Sequence, residues 1–193
     1  MNSRLTRLIF GCLTLFAGGA ALARLEPGAP STPAEDRPPT ALFGGCRMLV
    51  ADWLWLETNL AWEARDATKV RQLIALTRKA DPGSRYFCLN GARMLAYDLP
   101  AWRCQASPAA PRTVQAAWRE AGANEALALL ERGRAGQGDS AALYLEMANI
   151  SLYALRDRPR ATEFYRLAAE QADAPDYAAR IFARLKAAET VAE

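Results

Sequence analysis

Apolar residues recur along this chain at intervals of three and four, and the periodic runs are separated by proline, glycine and aspartate. Leu49, Trp53, Leu56 and Leu60 are spaced by four, three and four. That spacing makes one face of a helix, which the pattern starts near Cys46 and ends near Ala64. Asp66 is a good N-cap for a second helix, in which Val70, Leu73, Ile74 and Thr77 share a face. Asp81-Pro82-Gly83 stops it, because proline disfavours helix in the residue before it. A third helix is expected from Ser84 to Tyr97, with Phe87, Leu95 and the small Gly91 and Ala92, and Pro100 is expected to end it. An irregular stretch, Ala101 to Pro111, follows. Helix returns from Arg112 to about Arg132, with Val114, Trp118, Leu127 and Leu130 as core candidates and Gly122 as a point of bending. Gly133 to Asp139 reads as a loop.

Ser140 or Asp139 caps the next helix, which runs to about Leu155. Pro159 then sits in the first turn of another, where its missing donor costs nothing. That helix carries Phe164, Tyr165 and Ala168 to about Ala172, and Asp176 caps a last one with Tyr177, Ile181, Phe182 and Leu185. Short connections make consecutive amphipathic helices antiparallel neighbours. The pattern is therefore three helical pairs and a closing helix.

Composition agrees with an all-α chain. Alanine, leucine, arginine and glutamate dominate, and all four favour helix. Apolar residues make up 51% of the 193, enough for a core, and charged residues 23%, the ordinary share for a folded domain. The formal charge is +3. Arg4 and Arg7 lie ahead of the folded part, and the remainder is nearly neutral. No Lys/Arg run builds the basic face that nucleic acid requires, so no nucleic-acid partner is expected. Arg156, Arg158 and Arg160 alternate with other residues at a helix junction.

The chain has no histidine. That removes Ser-His-Asp and Cys-His nucleophile pairs, and zinc sites built on imidazole. No carboxylate spacing suggests an acid–base pair. Gly133, Gly136 and Gly138 follow no strand and are not a phosphate loop. The chain reads as non-catalytic, with no metal, no cofactor and no small-molecule substrate.

The first residues carry Arg4 and Arg7 and no acid, Leu8 to Ala23 carry no charge, and Ala21-Leu22-Ala23 supplies small residues. This order is that of a secretory signal. As a helix the run would span roughly 24 Å, short for a bilayer core of about 20 residues. A cleaved signal and a retained anchor both remain open. In either case the basic end stays cytoplasmic and the bulk is exported. The domain is expected in the periplasm, free or held at the inner membrane through residues 8–23. Pro27, Pro30, Pro33, Pro38 and Pro39 make the following stretch a semi-rigid spacer or a disordered leader. The organisation is residues 1–25 signal peptide or anchor, 26–42 proline-rich linker, and 43–193 helical domain.

The cysteines are Cys12, Cys46, Cys88 and Cys104. An exported location is oxidising, and Cys88 and Cys104 flank the irregular stretch. A disulfide there would close a loop of about 16 residues and contribute roughly 3 kcal/mol. The alternative is buried free thiols, the expected state of Cys46 and Cys88 within helices.

Residues Ala51 to Pro82 resemble a tetratricopeptide repeat, a 34-residue helical hairpin with large and small positions in register. Leu54, Thr58 and Ala61 stand in its first helix, Val70, Ile74 and Thr77 in its second, and Pro82 closes it. The segment from Ala142 is similar: Leu145, Asn149 and Leu152 precede Ala161, Tyr165 and Ala168, and Asp173 stands near the closing position. A middle unit begins near Arg85. From Phe43 onward the chain resembles exported bacterial proteins of this class. It carries Phe43-Gly44-Gly45, Ala51-Asp52-Trp53-Leu54-Trp55-Leu56, Asp81-Pro82 and Leu95-Ala96-Tyr97-Asp98.

The resemblance implies a right-handed solenoid of about three hairpins plus a C-terminal helix, whose first helices line a concave face. In that register Asp52, Trp55, Asn59 and Trp62 would face it from the first unit, Tyr86, Arg93 and Tyr97 from the second, and Glu146 and Tyr153 from the third. Aromatics with a carboxylate, an amide and a guanidinium suit a peptide-binding groove. Packing into the core is the alternative for Trp55 and Trp62. The implied function is a protein–protein interaction scaffold of the cell envelope, binding a peptide or helix of another envelope protein. A structural subunit of a larger membrane complex, tethered by the N-terminal helix, is the alternative.

Overall fold

The computed structural model describes residues 40–190, with side chains over 46–188. The leader and nearly all of the proline-rich linker lie outside the described residues, and so does Cys12. The described residues are all-helical and contain no strand. No helix among them is long and apolar enough to cross a membrane.

Helix α1 (Thr40–Glu63) begins inside the stretch read as linker. Helix α2 (Ala67–Ala80) starts where Asp66 accepts the backbone N–H of Lys69 at 2.9 Å. Ser84 caps α3 (Arg85–Arg93), Ser140 caps α6 (Ala141–Asn149), and Asp157 caps α7 (Arg158–Ala169). Each cap satisfies one of the donors that a helix start leaves open. Helix α8 (Asp176–Thr190) closes the series.

Pro100 does not end the third helix. A π segment, π1 (Met94–Asp98), carries α3 into α4 (Leu99–Ala106). Proline removes one donor and crowds the carbonyl a turn earlier. The chain answers by widening that turn, so that Leu99 N–H bonds the carbonyl of Met94, five residues back. The irregular stretch shrinks to the turn between Ser107 and Pro111. A second π segment, π2 (Ile150–Leu155), ends the helix begun by α6.

Helix α5 (Arg112–Gln137) also runs further than its glycines suggest, and only Gly138, at φ 81°, stops it. Gly133 is helical and buried because Cys88 packs where its side chain would be: a Cβ there would lie 2.4 Å from Cys88 Sγ. Val114 is exposed, whereas Leu127 and Leu130 are buried as expected.

Among the described residues no disulfide forms; Cys46, Cys88 and Cys104 are free thiols. Cys88 is buried against α5, its Sγ 3.7 Å from the carbonyl of Leu129, and burial pushes its thiol pKa up. Cys88 and Cys104 lie on one continuous helical run. Sixteen residues at 1.5 Å each separate them by roughly 24 Å, far beyond the reach of a disulfide.

The core is built from the inner sides of consecutive helices. Val70, Leu130, Leu143, Met147, Ile150 and Tyr165 are its largest fully buried side chains. Helix α1 joins it through Ala51, Trp55, Thr58 and Ala61. The stripe read as one helical face points away from the body: Leu49, Trp53, Leu56 and Leu60 are 69, 59, 63 and 58% exposed. The sequence marks α1 as apolar on both sides, but only one side meets the body.

Candidate functional site

The first helices of the second and third pairs bring together four of the predicted residues. Arg93, the last residue of α3, donates from Nε and Nη2 to Glu146 Oε2 on α6, at 2.9 and 2.7 Å. The Glu146 side chain is 5% exposed and that of Arg93 is half exposed. The hydrogen bond to Glu146 raises the Arg93 pKa. One turn on, in π1, Tyr97 is half-buried, and its phenol is pushed up to about 12, first by burial and then by the Glu146 carboxylate. In π2, Tyr153 is exposed. It lines a cleft of about 320 Å³ together with Tyr97, Cys104 and Arg119. Through Tyr153 and Arg119 this cleft joins a second, of about 760 Å³, edged by Arg156, Asp157 and Arg160.

Two further residues complete the cluster without having been singled out for it. Tyr165, from α7, donates its hydroxyl to Asn149 Oδ1 at 2.7 Å. Burial, then the neighbouring Tyr153, pushes its phenol up to about 12. Arg119 comes from α5, a second helix, so a register that counts only first helices passes over it.

The first unit divides its predicted residues. Trp55 is 7% exposed and belongs to the core, packed on Phe87 at 5.3 Å between ring centroids, with its edge toward the exposed Tyr86 at 5.8 Å. Asn59 turns its amide back to the carbonyl of Trp55 at 3.0 Å. Asp52 is exposed. Trp62 is partly exposed, and its indole N–H donates to Asp98 at 2.8 Å, next to Tyr97. Trp62 also leans on Trp102.

Two turns between consecutive helices, after the Thr40–Glu63 helix and after π2, use the same pair of residues. Arg65 and Arg156 adopt left-handed φ values of 55° and 58°, a conformation uncommon for any residue with a side chain. Each is followed by an aspartate, Asp66 or Asp157, that caps the next helix. The interval from Arg65 to Arg156 also separates Val70 from Ala161, Ile74 from Tyr165 and Thr77 from Ala168, all six of them buried.

Among the described residues no three His, Cys, Asp or Glu side chains stand close enough to hold a metal ion. No protein-family model, curated protein or solved structure matches this chain.

The raised phenols give a first expected result. A tyrosine whose folded pKa exceeds its unfolded value keeps its full contribution below the unfolded pKa, about 10, and loses it as pH rises toward the folded value. Tyr97 and Tyr165 both titrate at about 12 in the folded chain. Stability is therefore expected to fall between about pH 10 and 12. Absorbance titration should show two phenols ionising late or only on unfolding. Replacing both with phenylalanine should flatten the alkaline part of the urea-midpoint profile.

Proposed function

We propose that this chain is a non-catalytic interaction scaffold of the cell envelope, a tetratricopeptide-like solenoid that receives a peptide or helix of a partner protein on its first-helix face. The observation that carries the reading is the convergence on that face of Tyr97, Tyr153 and the Arg93–Glu146 pair beside an open cleft. Rings with polar tips give large contact area with little entropy to lose, and a guanidinium fixed by a buried carboxylate is already oriented. The repeat reading is supported by the recurrence of the Arg-Asp turn and of the buried second-helix positions at one interval. Export is supported by the basic, apolar and small order of the first residues.

Replacing Tyr86 and Tyr153 together with alanine in the full chain tests the face. Both side chains are largely exposed, so the melting temperature should barely move. A crosslinked partner seen with the unmodified chain should be lost. A partner retained at the same yield would remove this face from the binding surface.

A second reading, a structural subunit of a larger membrane complex, is favoured by the uncovered stripe of α1. Large contiguous apolar surface is unusual on a free monomer and marks an assembly face.

A further inference from the structure

The uncovered side of α1 has a definite register. Its residues Cys46, Leu49, Trp53, Leu56 and Leu60 are spaced three, four, three and four apart. This is the a/d spacing by which one helix packs along another, and Met48 and Val50 beside it are also exposed, at 63 and 49%. Written as a heptad, Trp53 and Leu60 take a positions, and Leu49 and Leu56 take d positions. Ala51 and Thr58, the residues sunk in the body, then fall at f, directly opposite the seam.

The charged residues at the seam's e and g positions are acidic, with Val50 and Asn59 at the other two. Asp52 stands at g, Glu57 at e, and Glu63 follows near the helix end. Arg47, the basic residue on α1 itself, is turned to the body, where its Nε donates to the carbonyl of Ala80 at 3.2 Å. Glu57 reaches Lys69 at 3.4 Å through a solvent-exposed contact. In a stack of helical hairpins the outermost helix ordinarily presents a polar face to water. Here it presents leucine and tryptophan between carboxylates.

The geometry points to a partner helix as the missing neighbour: we propose that α1 docks an amphipathic helix carrying its own a/d leucine seam and basic residues at e and g. A second copy of this chain is a poorer occupant. A parallel pair would set Asp52 at g against Glu57 at e of the other copy, and like charges there repel. An antiparallel pair centred on Asp52 would set g beside g and bring the two Asp52 side chains toward one another. Acidic flanks also disfavour an anionic lipid surface. The proposal rests on the subunit reading and is independent of the first-helix face. Loss of the Tyr86 and Tyr153 surface would leave it standing.

The test uses two dye-labelled synthetic helices of about four heptads, leucine at every a and d, with lysine at all e and g positions in one and glutamate in the other. Like charges on the flanks oppose self-pairing of either peptide. Each is titrated into the full chain and followed by fluorescence anisotropy. The lysine peptide should bind at least about tenfold tighter than the glutamate peptide, with the gap closing as salt rises. Leu56→Asp and Leu49→Asp should each abolish that binding with the helical signal and melting temperature retained, since both side chains are already in water. Leu76→Asp, at an exposed leucine of α2, should leave it unchanged. Equal binding of the two peptides, binding of neither, or an equal loss in Leu76→Asp would overturn the proposal. So would three assignments of the seam to another occupant. These are a dimer in sedimentation that Leu56→Asp dissolves, vesicle co-sedimentation that Leu56→Asp abolishes, and lysine-peptide binding gained only on removal of residues 1–39.

Discussion

Gly122→Ala should lower stability by about 2–3 kcal/mol, against the direction that helix propensity alone dictates. Alanine is favoured over glycine inside a helix by about 1 kcal/mol, and Gly122 lies within α5. A Cβ at this position, however, would stand 2.5 Å from the carbonyl oxygen of Leu95 and 2.5 Å from Pro100 Cγ. Neither atom is the end of a flexible side chain. The first belongs to the backbone of π1 and the second to a rigid ring, so α5 and the π turn must separate. That separation would also disturb the segment carrying Tyr97. Gly136 supplies the opposite case on the same helix. Nothing lies within 4 Å of a Cβ there, and Gly136→Ala should stabilise by about 0.5–1 kcal/mol. Urea midpoints of the two variants should therefore move in opposite directions. A stabilising shift for Gly122→Ala would mean that π1 is not seated against Gly122.

The second large effect is an asymmetry within the Arg93–Glu146 pair. Arg93→Met leaves a carboxylate whose side chain is 5% exposed without the two donors that hold it. An orphaned buried charge costs more than the pair contributes. The Arg93 side of the pair is half open to water, which weakens the effect by screening, and a loss of about 2 kcal/mol is expected rather than the larger cost of a sealed site. Glu146→Gln leaves a guanidinium that water can reach, and about 1 kcal/mol should be lost. Arg93→Met combined with Glu146→Gln should cost less than the two single losses added, and a double-mutant cycle on urea midpoints reads that coupling. Equal single losses and strict additivity would show that the pair does not join α3 to α6.

What could be read from the chain was the local part. Asp66 and Ser140 announced helix starts because a cap acts within three residues, and the apolar period of α2 named its buried face. Three features needed tertiary information. Pro100 removes a donor wherever it stands, but whether the helix stops or widens depends on what the next turn packs against, and here π1 and α4 lie along α5. Gly133 looks like a loop residue until Cys88 is found occupying its side-chain space. The stripe of α1 shows which residues share a face and says nothing about whether anything covers it. Trp55, from the opposite side of that helix, went to the core instead.

At the candidate site the expectation put Arg93, Tyr97, Glu146 and Tyr153 on one face, and these four residues do stand near one another. It missed Arg119 and Tyr165 because they enter from second helices. The signal that could have tightened the reading is the recurrence of Arg-Asp at 65–66 and 156–157. That pair marks the turns of the first and third pairs and so gives their alignment.

The central claim is that the first-helix face, not the outer surface of the second helices, meets a partner. Site-specific photo-crosslinking in cells producing the full chain tests it most directly. A photoreactive residue is placed in turn at Tyr86 and Tyr153, and for comparison at the exposed Gln72 of α2 and Arg132 of α5. The account predicts one discrete heavier protein adduct from Tyr86 and Tyr153 and none from Gln72 or Arg132. Adducts confined to Gln72 and Arg132, with the first-helix positions silent, would contradict it.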